Sequence, residues 1–241
     1  MAARILQLLG AAPNLVLTPT IEGAEVWAAN NPRILRKKGY ALGLSRWTRW
    51  INLHSFAHME RTYPNGVQYY RDNARADRPV YLQRAATTTI GLSGLSAAVP
   101  HSRTFPAYAL QMLYSVDGRA PFRYFTFSGA WMLAWALALR QFERIELYGF
   151  ELKREHQYDY ERPCMAYWVT RALAQGVEIV YPVGVDFGAA GDPAAYAGPL
   201  YGYETTEPHC APPKVWGDGS IHHGDKDNRG QGAEGARTAE A

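Results

Sequence analysis

The chain reads as an α/β protein: an open, mostly parallel sheet with helices on both faces. Three observations predict this. Short apolar runs recur and end in Gly, Asn or Pro, with helix-length material between them. One intervening stretch, Gly129–Gln141, is apolar all round and needs cover on most sides. Residues 145–181 read as a complete strand–helix–strand unit, for which a right-handed crossover in one parallel sheet is the default.

The elements follow in order. Ile5–Leu9 is a strand ending in Gly10-Ala11-Ala12-Pro13-Asn14, and Glu25–Ala29 a second ending in Asn30-Asn31-Pro32. Arg49–His54 alternates and closes on a polar residue; Pro79–Leu82 is a short strand bounded by charge. After the apolar helix, Arg144–Tyr148 ends at Gly149 and Val177–Tyr181 ends at Pro182. Between these two, Pro163 suits the first turn of a helix. Met165, Trp168, Val169, Ala172 and Leu173 follow at helical spacing until Gly176 closes the pattern. The whole is Rossmann-like, a single domain over residues 1–216. From Gly217 onward the chain holds six glycines, eight charges and no aromatic residue, the composition of a flexible, disordered tail. His222-His223 lies in that tail and is read as incidental.

Composition bounds the partners. The longest unbroken apolar run, Ala130–Leu139, is about half of the ~20 residues a bilayer needs, so no membrane span is expected. The initial Met-Ala-Ala-Arg leads into a strand rather than a leader. Cys164 and Cys210 lack metal spacing and read as free thiols in a reducing compartment, hence a cytoplasmic location. Net charge is only +3, but residues 1–142 carry 16 Lys/Arg against 6 Asp/Glu, and the remainder 9 against 16. No acid stands between Glu25 and Glu60, a stretch that suits a phosphate-bearing partner or a solvated basic face.

In open parallel sheets, ligands sit beyond the carboxyl ends of the strands. Those ends carry Gly10–Asn14, Asn30-Asn31, His54, Ser128-Gly129, residues 149–158 and residues 182–186. Ser128 reads as an N-cap, and Gly129 as a residue that leaves amide groups approachable. The first N–H groups of a buried helix lack intrahelical partners and can receive an anion; capping alone also accounts for the Ser-Gly pair. Gly10–Asn14 matches neither GxGxxG nor GxxxxGK[ST], which argues against an ordinary dinucleotide site and a P-loop. His54 and His58 are spaced i, i+4 but lack the Glu of HExxH and an evident third ligand, so no metal site is expected. His156 lies in a polar loop with Glu155, Tyr158, Asp159, Tyr160 and Glu161, where it serves either as a general base or as part of an ion-paired surface. Tyr158 and Tyr160 are candidate donors to a leaving phosphate.

The order strand, Ser-Gly, apolar helix, then ERIELYGFEL resembles the motif of bacterial lipooligosaccharide-type sialyltransferases. LLGAAPNL stands where that family has a Gly-x-Gly-Pro-Ser-Leu loop, and VWAANN where an Asn ends the second strand. A related fold occurs in archaeal pterin diphosphokinase-like domains. Residues 4 to about 203 also resemble a group of bacteriophage proteins without an assigned activity, through GAAPN, VWAANN, Trp50 to His54 and Tyr201-Gly202. A phage-encoded protein would act in the host cytoplasm.

The sialyltransferase resemblance implies a nucleotide-sugar site, with a CMP-linked donor as substrate and no other cofactor. Gly10, Pro13 and Asn14 would line phosphate or ribose, and Asn30 or Asn31 the base or phosphate. Ser128 and Gly129 would hold phosphate or sugar; His54, read from its place at a strand end and not from the resemblance, either faces the ligand rim or is a satisfied structural histidine. His156 would deprotonate the acceptor in a metal-independent inverting transfer, with Tyr158 or Tyr160 on the leaving phosphate. Two features depart from the family: Asn14 stands in place of Ser, and only six residues separate Gly149 from His156, so the lid is almost absent. The pterin-kinase-like alternative would use Mg²⁺ on Glu151, Glu155, Asp159 or Asp186. A non-catalytic alternative binds nucleotide or nucleic acid through the basic half and would show salt-dependent DNA binding.

Overall fold

A computed structural model of the protein describes residues 4–30, 46–54, 66–83, 93–114, 124–152, 158–183, 185 and 187. The expected tail from Gly217, with Asn31, His58 and His156, lies outside the described residues. Seven strands form one sheet: β1 (Ile5–Leu9), β2 (Glu25–Ala29), β3 (Arg49–Asn52), β4 (Val80–Leu82), β5 (Ser102–Thr104), β6 (Arg144–Tyr148) and β7 (Glu178–Val180). Their order is β5-β4-β3-β2-β1-β6-β7, and every neighbouring pair is parallel. The chain lays strands outward from β1 on one side, then returns with β6 on the other. That reversal places a topological switch point between the carboxyl ends of β1 and β6.

Among the described residues the helices are α1 (Gly66–Asn73), α2 (Ser93–Ala98), α3 (Ala107–Leu113), α4 (Ser128–Leu139) and α5 (Tyr158–Ala174), with a 3-10 turn over Pro13–Leu17. Strand residues alternate between two apolar layers, as a sheet covered on both faces requires. Leu6, Leu8, Trp27, Ala29, Ile51, Ile145 and Leu147 pack with α3, α4 and α5. Leu9, Val26, Ala28, Trp50, Val80 and Tyr148 pack with α1, α2 and Leu15 of the 3-10 turn. The α/β expectation with helices on both faces is thereby met.

The all-round apolarity of α4 has a direct cause. Ser128 to Leu137 are all buried, because α4 lies between the β1–β3 surface and the helices α3 and α5. Trp131 stacks on Phe125 at 3.9 Å, and Trp135 meets Trp27 at 4.7 Å. Two polar residues cross the central strands. Gln7 and Glu146 are register partners, and Gln7 Nε2 donates to Glu146 Oε2 at 2.9 Å. Arg144 Nη2 lies 2.8 Å from Glu146 Oε1, so this fully buried carboxylate has the partner that burial of charge demands.

Two sequence expectations are corrected here. Ser102–Thr104 is a strand that the apolar runs did not reveal; it is short and polar, and pairing with β4 makes it a strand. Pro163 does not open its helix. It stands inside α5, which begins at Tyr158. Proline removes only the bond to the carbonyl four residues back, here Asp159, which sits in the first turn.

Candidate ligand site at the carboxyl rim

The loops after β1 and β6 touch at the switch point. Gly149 adopts a left-handed φ of 78°. Gly10 N–H donates to Tyr148 O at 2.8 Å, and Ala12 N–H donates to Gly149 O at 2.9 Å. A Cβ on Gly10 would stand 2.2 Å from Gly149 O, so glycine is required by the neighbouring backbone. Asn14 locks the same contact: its Oδ1 accepts from Gly149 N–H at 2.8 Å, and its own N–H donates to Glu151 Oε1 at 2.8 Å. Pro13 begins the 3-10 turn that carries Asn14 into place. Asn14 is buried, and its Nδ2 has no acceptor among the described residues.

Asn30 follows β2 with φ 49°, a left-handed conformation in a non-glycine residue. Contacts with other described residues hold it. Its N–H donates to Ile51 O at 2.7 Å. Its carbonyl accepts from Trp50 Nε1 at 2.9 Å and Tyr69 Oη at 3.2 Å. Its Oδ1 accepts from Ser128 Oγ at 2.8 Å. Leu152, beyond β6, is also left-handed, at φ 42°. Both strained residues lie at the carboxyl rim, where such strain is commonly stored at ligand sites.

The start of α4 differs in detail from expectation. Phe127, extended at φ −162°, occupies the N-cap position and makes no side-chain cap. Ser128 is the first helical residue, and its hydroxyl runs sideways to Asn30 instead of capping. Gly129 is not an open approach to backbone. A Cβ there would come within 2.5 Å of Phe127 Cε2, 2.8 Å of Phe150 Cε1 and 3.1 Å of Met165 Cε. The same Phe150 Cε1 would stand 2.8 Å from a Cβ on Gly10. Phe150 therefore crowds both positions, beside the Gly149 backbone at Gly10 and the Phe127 ring at Gly129, so protein packing requires two glycines read from the sequence as ligand contacts. Even so, the N–H groups of Ser128, Gly129 and Ala130 meet no acceptor among the described residues.

The remaining candidates are less gathered. His54 follows β3, half-buried, and its N–H donates to Asn52 Oδ1 at 3.2 Å. Tyr158 and Tyr160 belong to the first turn of α5. Sequence reasoning placed 149–158 at this rim without singling out Phe150 or Leu152, and it missed Arg162. The GF step after β6 was the available signal for Phe150; nothing local marks Leu152 or Arg162. Arg162 is buried, and its Nε and Nη2 both donate to Leu152 O, at 3.2 and 2.7 Å. Next to it, burial pushes the Glu161 carboxyl up to about 8. Burial also pushes the Cys164 thiol up to about 12; Cys164 Sγ donates to Tyr124 O at 2.8 Å.

Among the described residues no group of three or more His, Cys, Asp or Glu is placed to hold a metal ion, and no helix is long and apolar enough to cross a membrane. Two hollows lined by described residues open away from this rim. One, of about 410 Å³, lies beside Leu137, Arg140, Phe142 and Gln175; the other, of about 240 Å³, beside Arg75, Arg78 and His101.

No family model and no curated protein matches this chain. Among solved structures, it is similar to the sialyltransferase CstII from Campylobacter jejuni in complex with a substrate analogue, cytidine-5'-monophosphate. The two share 13% sequence identity over 74% of this chain and 79% of that one, with a TM-score of 0.40.

Proposed function

We propose that the carboxyl rim binds a nucleotide-linked sugar, and that the protein is a sialyltransferase-like glycosyltransferase with a CMP-linked donor. One observation carries the reading. A twelve-residue buried helix starts beside Asn30 at the end of β2, and its first three N–H groups meet no acceptor among the described residues. Those groups carry the positive end of the helix dipole, and a phosphate satisfies both the hydrogen bonds and the charge. Asn30, held in a strained conformation beside Ser128, positions an amide at the same place.

In this reading the phosphate of the donor rests on the start of α4. His156 takes the proton of the acceptor hydroxyl, and the hydroxyl oxygen attacks the anomeric carbon as the bond to the phosphate breaks. A single displacement inverts the anomeric configuration. Tyr158 or Tyr160 donates to the departing phosphate, and no metal is required. The roles of these three residues are carried over from the sialyltransferase resemblance, which rests on the Ser-Gly, apolar helix and ERIELYGFEL order that precedes them.

Titration calorimetry with CMP tests the binding step. CMP is expected to bind the parent, and Asn30→Asp is expected to lose it, because the new carboxylate repels the phosphate while keeping the acceptor for Ser128. Absence of any heat of binding by the parent at about 1 mM CMP, a concentration well above a useful affinity for such a ligand, would overturn the reading.

A further inference from the structure

Arg162 is a cation in an unusual position. It sits in the second turn of α5 with only 9% of its surface exposed. Its two bonded nitrogens converge on one carbonyl, that of Leu152, itself in a left-handed conformation. A carbonyl supplies no counter-charge, and a buried guanidinium without one is costly.

No carboxylate among the described residues supplies it either. Glu25, Glu146 and Glu178 pair with Arg49 and Arg144, and Asp77 with Arg75 and Arg78. Glu151 Oε1 accepts from Asn14 N–H. Glu161, its neighbour in sequence, is held largely protonated near neutrality by burial and so brings little charge. Among the described residues Nη1 meets no acceptor, and it is not sealed from solvent, which leaves it accessible to a ligand. With Nε and one Nη2 hydrogen committed to Leu152, the remaining donors form the end-on Nη1/Nη2 fork. That fork matches the two oxygens of a carboxylate or phosphate.

We infer that Arg162 is an oxyanion-binding residue, fixed by the Leu152 carbonyl so that its Nη1/Nη2 fork receives a carboxylate or phosphate oxygen pair of the ligand at the carboxyl rim. This rests on the reading above for the location of the ligand and adds a second anionic contact to it. The Leu152 bond orients the guanidinium in advance, so little side-chain freedom is lost when the anion arrives. Phe150, two residues before Leu152, and Met165, three residues after Arg162 on α5, both reach the start of α4 at Gly129, so the elements that hold Arg162 border that helix terminus.

The experiment compares parent, Arg162→Gln and Arg162→Lys by titration calorimetry, with circular dichroism confirming that each is folded. The probes are CMP, which carries a phosphate; N-acetylneuraminic acid, which carries a carboxylate; and cytidine, which carries neither. The expected result is that at least one anionic probe binds the parent and binds Arg162→Gln about tenfold or more weakly. Arg162→Lys, which keeps the charge but not the fork, falls between. Loss of CMP binding assigns the fork to phosphate, and loss of the sugar acid assigns it to carboxylate. Should Arg162→Gln not fold, a loss in Arg162→Lys still supports the inference, and unchanged affinity there overturns it. If CMP and the sugar acid bind Arg162→Gln as they bind the parent, Arg162 is structural only and the inference fails while the nucleotide reading stands. If CMP does not bind the parent but the sugar acid does, in an Arg162-dependent way, the nucleotide reading fails and the fork stands. Binding of neither anionic probe to the parent overturns both.

Discussion

Ser128 Oγ donates to Asn30 Oδ1 across 2.8 Å, joining residues 98 apart in the chain. The bond ties the first turn of α4 to the end of β2. Ser128 is the first helical residue, after the N-cap Phe127, so its hydroxyl serves this contact and not a cap. Ser128→Ala removes it and is expected to lower stability by about 1 kcal/mol. Asn30→Asp keeps an acceptor for Ser128 and should cost less, while weakening CMP binding the more. Urea denaturation and calorimetry on the two variants check this. The reverse order, with Ser128→Ala abolishing binding and Asn30→Asp sparing it, would contradict the assigned geometry.

Gly10 and Gly129 are both needed for close packing, but against different neighbours. A methyl on Gly10 runs into the Gly149 backbone at 2.2 Å, whereas on Gly129 it meets the far ends of Phe127, Phe150 and Met165. Side chains yield more readily than a peptide shared between two loops. Gly129→Ala is expected to cost about 1–3 kcal/mol, the range for overpacking a core, and Gly10→Ala more. Equal midpoints in guanidinium unfolding would show that the β1 and β6 loops separate more easily than this packing implies.

Burial raises the Glu161 carboxyl from an ordinary 4.5 to about 8. A carboxyl with the higher value in the folded state holds its proton more tightly there. Between about 4.5 and about 8 the folded form therefore binds more protons than the unfolded one. Stability declines as pH rises through that window and levels off above it, by an amount on the order of a few kcal/mol. Glu161→Gln has no carboxyl to ionise and should flatten this part of the profile. Melting temperatures from pH 5 to 9 for parent and variant measure it, and superimposable slopes would remove Glu161 as the cause.

The Cys164 thiol is fully buried, and burial raises it to about 12. Only the thiolate attacks alkylating agents. In a Cys210→Ser background, Cys164 should resist iodoacetamide at pH 8 in the native state and react on addition of denaturant. Mass spectrometry reads the modification directly; rapid native labelling would mean that the packing of α5 on Tyr124 opens easily.

Much of the architecture lies open in the chain itself. ILQLL, EVWAA and RIELY announce strands because each is a short apolar run with a turn residue at its end. SGAWMLAWALAL announces a helix covered on all sides, since no polar stripe is left for water. β5 does not show, because Ser102-Arg103-Thr104 becomes a strand only through pairing with β4. The start of α5 does not show either, since Pro163 in isolation marks a first turn, yet one missing bond near a helix end is tolerated.

At the rim the division is sharper. Asn30, Asn14, Gly10, Ser128 and Gly129 could be picked out because Gly, Asn and Ser at strand ends are chemically suggestive. Their actual duties could not be read, because each depends on a partner far along the chain: Gly149 for Gly10 and Asn14, Asn30 for Ser128, Phe150 for Gly129. Apolar periodicity and turn chemistry are properties of neighbouring residues, and they travel with the chain. Which hydroxyl meets which amide, and which arginine turns onto a backbone carbonyl, depends on sheet order and helix docking. Those relations arise only when β1, β2 and β6 stand side by side with α4 and α5 packed across them.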